Sequence, residues 1–189
     1  MIKRLSLVLI AVLLTALGAQ ADTLSFCFND SSAQLRYSYL LNEDYNGTSL
    51  LQFRGLYNDD SGTTLGSAGF EFSGAPGNIP GLTLGVGANL YLGQTDPDDT
   101  LGALGIAGSV TMAPPSWYGV GVNARLAYAP NILSTGDLNR LLEASAAVSY
   151  TITPRVKLFV EYQLLRADLE GQGNSSIDKD FRIGFAGSF

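Results

Sequence analysis

The chain has 189 residues, with 11 Lys and Arg against 17 Asp and Glu, a formal net charge of −6, no histidine and one cysteine. This acidic balance argues against nucleic-acid binding, which neutralises phosphates with Lys and Arg. The missing histidine excludes Ser-His-Asp and Cys-His catalysis and His-type zinc sites, and Cys27 alone forms no internal disulfide.

The first 21 residues read as a secretory leader. Lys3 and Arg4 precede an apolar run from Leu5 to Leu17, and Ala19-Gln20-Ala21 offers a small-x-small cleavage site. The mature chain is expected to begin at Asp22. The apolar run is shorter than the about 20 residues a spanning helix needs. Cys27 stands too far downstream, and after too bulky a neighbour in Phe26, for lipoprotein processing. The expected organisation is therefore a leader over 1–21 and one domain over 22–189.

From Asp22 onward the chain alternates with period two, the signature of strands with two unlike faces. Residues 23–28 put Leu24, Phe26 and Phe28 on one side, and 34–41 put Leu35, Tyr37, Tyr39 and Leu41 there. The pattern continues over 49–57, 64–73, 82–92, 101–112, 118–128, 142–152, 156–164 and 181–189. In "LTLGVGANLYL", for example, Leu82, Leu84, Val86, Ala88, Leu90 and Leu92 oppose Thr83, Gly85, Gly87, Asn89 and Tyr91.

The connections alternate in character. Those at 29–32, 58–63, 93–100, 130–137 and 170–180 are polar and acidic, while 42–48, 74–81, 113–116 and 153–155 are turn-like and mostly tighter. Transmembrane barrels show such asymmetry, with short turns at one rim and longer loops at the other. The polar faces are largely Gly, Ala, Ser and Asn, which suit a crowded lumen better than an exposed surface. Strands of about 9–11 residues match a tilted membrane crossing. Trp117, Tyr118 and Tyr150 stand near the tight-turn end, as an interfacial girdle would. The expectation is an all-β transmembrane antiparallel up-and-down β-barrel of about ten strands, with eight as the alternative. It would sit in a Gram-negative outer membrane, against lipid and lipopolysaccharide, and need no cofactor.

By parity the polar faces carry Arg36, Arg54, Glu71, Arg125, Glu143, Lys157, Glu161 and Arg182. Ionised groups in a narrow interior need partners or water. The expected arrangement is a plug of ion pairs, with a polar pore lining as the alternative. Other motifs are weaker. The glycines of "GVGANLYLG" open no helix, so a phosphate loop lacks its context. Asp96, Asp98 and Asp99 read as a solvated turn, without the glycine and distal Glu of an EF-hand. No catalytic, metal or cofactor residue is assigned. The expected role is structural or interactive, with a narrow channel for ions or small solutes as the alternative and an enzyme less favoured.

The chain closes on "FRIGFAGSF", with Phe181, Ile183, Phe185 and Phe189 on the apolar face. This ending resembles the C-terminal signature of bacterial outer-membrane proteins. The resemblance implies delivery to the barrel-assembly machinery, with the C-terminus on the periplasmic side. Together with the leader, the short first hairpin and "GLTLGVGANLYLGQTDPDD", it also resembles the YfaZ family of small outer-membrane proteins. That family implies a fold and a location, and no known activity. Deleting Phe189 is expected to deplete the protein from the outer-membrane fraction, while Ser188→Ala leaves its amount unchanged. Immunoblotting of fractionated cells checks this, and equal membrane yields for wild type and deletion would contradict it.

Overall fold

The computed structural model describes residues 22–77, 79–95, 99–136, 138–169 and 173–189. The expected leader and its cleavage site lie outside the described residues. The strands are β1 (Thr23–Phe28), β2 (Ser32–Asp44), β3 (Gly47–Asn58), β4 (Thr63–Gly74), β5 (Leu82–Thr95), β6 (Asp99–Met112), β7 (Val120–Ala129), β8 (Ser134–Gly136), β9 (Leu138–Thr153), β10 (Val156–Leu169) and β11 (Gly173–Ser188). Every pairing is antiparallel, and β1 pairs with β11 to close the sheet. The short β8 extends β7: both lie along β6, with Ile106 opposite Tyr128 and Ala103 opposite Ser134. A 3-10 turn at Asn131–Leu133 interrupts them. The two make one stave, so the eleven strands form a closed barrel of ten.

The connections differ from the expected asymmetry. Both described chain ends lie at one rim, called here the terminal end, which also carries the longest connections, 75–81 and 113–119. At the opposite, distal end the strands run nearly into one another. Ser134–Gly136, expected within a loop, lies in the ladder, and so does β11 from Gly173, inside the expected 170–180 connection. The expected turn over 42–48 shrinks to Tyr45 and Asn46. The physical reason is that a strand keeps its hydrogen bonds when it leaves the apolar layer, so its polar stretch loses the hydrophobic alternation. In β11 a bulge adds to this. Leu165 faces Asp178 while Arg166 faces Ser176, so the alternation slips at Ile177.

Side chains sort cleanly by parity. The outer face exposes Phe70, Phe72, Leu84, Val86, Ile106, Leu126, Val148, Leu158, Val160, Phe181, Ile183 and Phe185 among many others. An apolar belt of this extent is not the surface of a soluble monomer. On β10 the belt runs from Val156 to Leu164, and beyond it the outer face turns polar at Arg140, Arg166 and Lys179. Among the described residues no helix is long and apolar enough to cross a membrane. The crossing is made by strands, in which closure satisfies every backbone group.

The seam between β1 and β11 is tight. Asp22 and Phe189 exchange backbone hydrogen bonds of 3.2 and 3.0 Å. The Asp22 carboxylate also accepts from the Tyr37 hydroxyl and, at 3.1 Å, from the Leu40 amide. Cys27 sits opposite Gly184 on the inner face. A Cβ at Gly184 would lie 2.5 Å from the Cys27 Cβ and 2.6 Å from both the Phe26 carbonyl and the Phe159 ring. A Cβ at Gly187 would meet nothing within 4 Å. Gly184→Ala is expected to cost about 1–3 kcal/mol through overpacking, and Gly187→Ala to stay within about 0.5 kcal/mol of wild type. Urea unfolding in lipid vesicles, followed by Trp117 fluorescence, compares the two.

Candidate functional site

Because side chains alternate across each strand, the inner face is the narrow side of a closed curve and collects small residues with a few large ones between them. The inner charges sit at mid-barrel, where Gly69, Gly85 and Ser109 leave room for long side chains. Arg125 pairs with Glu71, whose Oε1 also accepts from Ser109 at 2.9 Å. The same guanidinium donates to Asn89 Oδ1 at 3.1 Å. Asn89 donates to the Tyr91 hydroxyl at 3.0 Å, which donates in turn to Glu143 Oε2 at 2.8 Å.

Glu143 is the hub. Arg54 grips it through both guanidinium nitrogens, the second at 3.1 Å, and lies over the Tyr91 ring at 5.8 Å. Gln163 donates to the other Glu143 oxygen at 3.4 Å and accepts from Arg182 at 2.6 Å. Arg182 donates to Ser32 Oγ at 2.8 Å and pairs with Asp178, which accepts from Asn58 at 3.4 Å. One continuous network thus reaches every strand except β1 and the short β8. Beside it, Arg36 and Glu161 meet more loosely at 3.6 Å, and Gln34 lies 3.5 Å from both Glu161 and the buried Cys27 thiol.

The structure places Arg36, Arg54, Glu71, Arg125, Glu143, Lys157 and Glu161 around one cavity and buries Arg182 against Ser32, Gln163 and Asp178, and the pairing differs from the count of five cations and three anions. Asp178 joins as a fourth carboxylate. It shares the parity of Arg182, four residues on, and was missed because the stretch 170–180 reads as a connection and not as strand. Four pairs result, and among the described residues Lys157 is the inner charge left without a carboxylate partner. The side chains of Phe181, Ile183, Phe185 and Phe189 point outward into the apolar belt.

The lumen is layered along its axis. At the distal end Leu56, Leu65, Tyr91, Leu101, Leu138, Leu141, Leu165 and Ile177 are packed together with inward alanines into a buried apolar cluster. Sequence reasoning missed this layer. Its members come one to three to a strand from β3 to β7 and β9 to β11, and only closure brings them together. Toward the terminal end lies a polar cavity of about 340 Å³, lined by Thr23, Ser25, Arg36, Asn123, Ser149, Lys157 and the exposed edges of the ion pairs. Among the described residues no cluster of three or more potential metal ligands occurs; Asp96 and Asp98 fall outside them. The lumen offers charge and hydrogen bonds to a guest, and a hydrophobic stop at one end.

Burial ranks the ion pairs. Glu143→Ala strands the buried Arg54 guanidinium and is expected to cost about 3–5 kcal/mol. Asp168→Ala breaks only the rim pair with Arg140, an outer-face contact of 2.9 Å with Arg140 half exposed, and is expected to cost at most about 1 kcal/mol. Denaturant midpoints of the two variants in vesicles test the ranking.

A YfaZ family model, described as YfaZ precursor, matches residues 2–189. Among solved structures, the fold is similar to the KdgM porin in complex with disordered oligogalacturonate. That likeness has a TM-score of 0.50 and 10% identity, and covers 90% of this chain and 99% of the porin chain. A second KdgM porin structure gives a TM-score of 0.45 at 10% identity, with the same coverage. No curated protein matches. At such identity the structural likeness speaks for the barrel fold alone. The family match, in contrast, runs from residue 2 to the final phenylalanine, and by it the chain belongs to the YfaZ family.

Proposed function

We propose that the protein is a small integral barrel of the Gram-negative outer membrane with a structural or interaction role, its lumen closed rather than conducting, and without catalysis. The observation that carries this reading is the stacking of an apolar layer on a connected ion-pair network. Water and ions entering from the terminal end meet Arg54, Glu143 and Tyr91, and behind them a layer of leucines. Charges held in mutual pairs do not line a path for hydrated ions, and the leucine layer offers them no solvation.

The terminal end is assigned to the periplasm. Strands that project past the apolar belt do so at the distal end, where Arg140, Arg166 and Lys179 face outward, as the outside portions of such barrels do. These cations suit lipopolysaccharide phosphates, the belt suits lipid chains, and the aromatic ending suits the assembly machinery. A narrow channel is the second reading, supported by the polar half of the lumen and by a porin among similar folds.

Planar-bilayer recording separates the two. Wild type is expected to show almost no steady conductance, and Tyr91→Ala combined with Leu141→Ala to produce discrete openings. Steady wild-type conductance, altered by Glu143→Ala only in ion selectivity, would overturn the closed reading and establish the channel.

A further inference from the structure

We propose that the terminal-end cavity is a binding site for a small hydroxylated organic anion, with Lys157 as the residue that recognises its charge. The proposal rests on the closed-lumen reading, which makes the cavity a dead-end cup rather than part of a path. Its first support is the charge balance. Among the described residues each buried inner carboxylate is already engaged: Glu71 by Arg125, Glu143 by Arg54, Glu161 by Arg36 and Asp178 by Arg182. Lys157 lines the same cavity, and among the described residues it has no carboxylate partner. Lys157 is exposed at the terminal end of the cavity, and a cation at the mouth of a cleft raises the local concentration of anions.

A second cation stands beside it. Arg36 holds Glu161 at 3.6 Å, and over a quarter of its side chain is open to the cavity or solvent. This leaves donors free to turn toward a guest.

The rest of the lining sets the class of anion. Thr23, Ser25, Ser149 and Asn123 present hydroxyl and amide groups that donate and accept, matching the hydroxyls of a polyol chain. Phe159 adds one apolar wall for carbon-bound hydrogens. A cavity of about 340 Å³ lies at the small end of ligand pockets. It suits a single six-carbon hydroxy acid, not an oligomer, and closure at the distal end means such a guest enters and leaves on the terminal side.

The test is an NMR titration of the mature barrel in detergent micelles, using gluconate as the anion and sorbitol as its uncharged analogue. Gluconate is expected to shift resonances of Ser25, Ser149 and Lys157 saturably, and sorbitol to leave them unmoved. Lys157→Gln is expected to weaken gluconate binding about tenfold, and Lys157→Arg to retain it. Heat-dependent gel mobility verifies that both variants are folded. Absence of saturable shifts in wild type, equal response to sorbitol, or unchanged affinity in a folded Lys157→Gln variant would each overturn the proposal. Conductance is read separately: a silent barrel that ignores gluconate removes the binding site and leaves the closed reading intact, while a conducting barrel removes the dead-end cup itself.

Discussion

The pairing of β1 with β11 is the constraint on which the rest of the molecule depends. In hydrocarbon an unpaired N–H or C=O costs several kcal/mol, so a sheet with free edges cannot stay there. β1 is short, Thr23–Phe28, yet it supplies the closing hydrogen bonds of the whole cylinder. The fit at that seam is correspondingly close: Gly184 gives the Cys27 side chain its space, and Phe26 meets Phe185 on the outer side with ring centres 6.0 Å apart.

Closure then dictates what fills the lumen. Ten staves enclose too little space for free water throughout and too much for glycine and alanine alone. The protein divides the problem along its axis. Long charged side chains reach across at mid-barrel and satisfy one another, and leucines occupy the distal half, where strands leave the apolar belt. Glu143 holds the halves together, because it accepts from Arg54, Tyr91 and Gln163, which come from three different strands. Such a network specifies the register of the staves as well as filling the interior, since slipping any strand by one residue would turn its charge into lipid.

Two features of the site were legible only in part. Parity places Arg36, Arg54, Glu71, Arg125, Glu143, Lys157, Glu161 and Arg182 inside, because alternation is a local property of an extended chain. Their partners were not legible. Arg54 and Glu143 are 89 residues apart, and Arg125 and Glu71 are 54 apart. Asp178 escaped altogether, because it lies in a polar stretch that reads as a connection, although its parity is that of Arg182. The surplus of Lys157 became visible only when that fourth carboxylate was counted.

The sequence by itself determined the period-two faces, the strand number and the aromatic ending, since each is written in neighbouring residues through the geometry of an extended backbone. The tertiary structure decided where strands end, because polar residues hold a ladder in water without an alternating pattern to announce it. It also decided that scattered inward leucines form a layer, that three ion pairs share one network with a fourth beside it, and that the remaining cavity opens at the end where Asp22 and Phe189 meet. Those outcomes depend on which strands become neighbours across a closed circumference, and distance across a barrel is not a quantity that spacing along the chain contains.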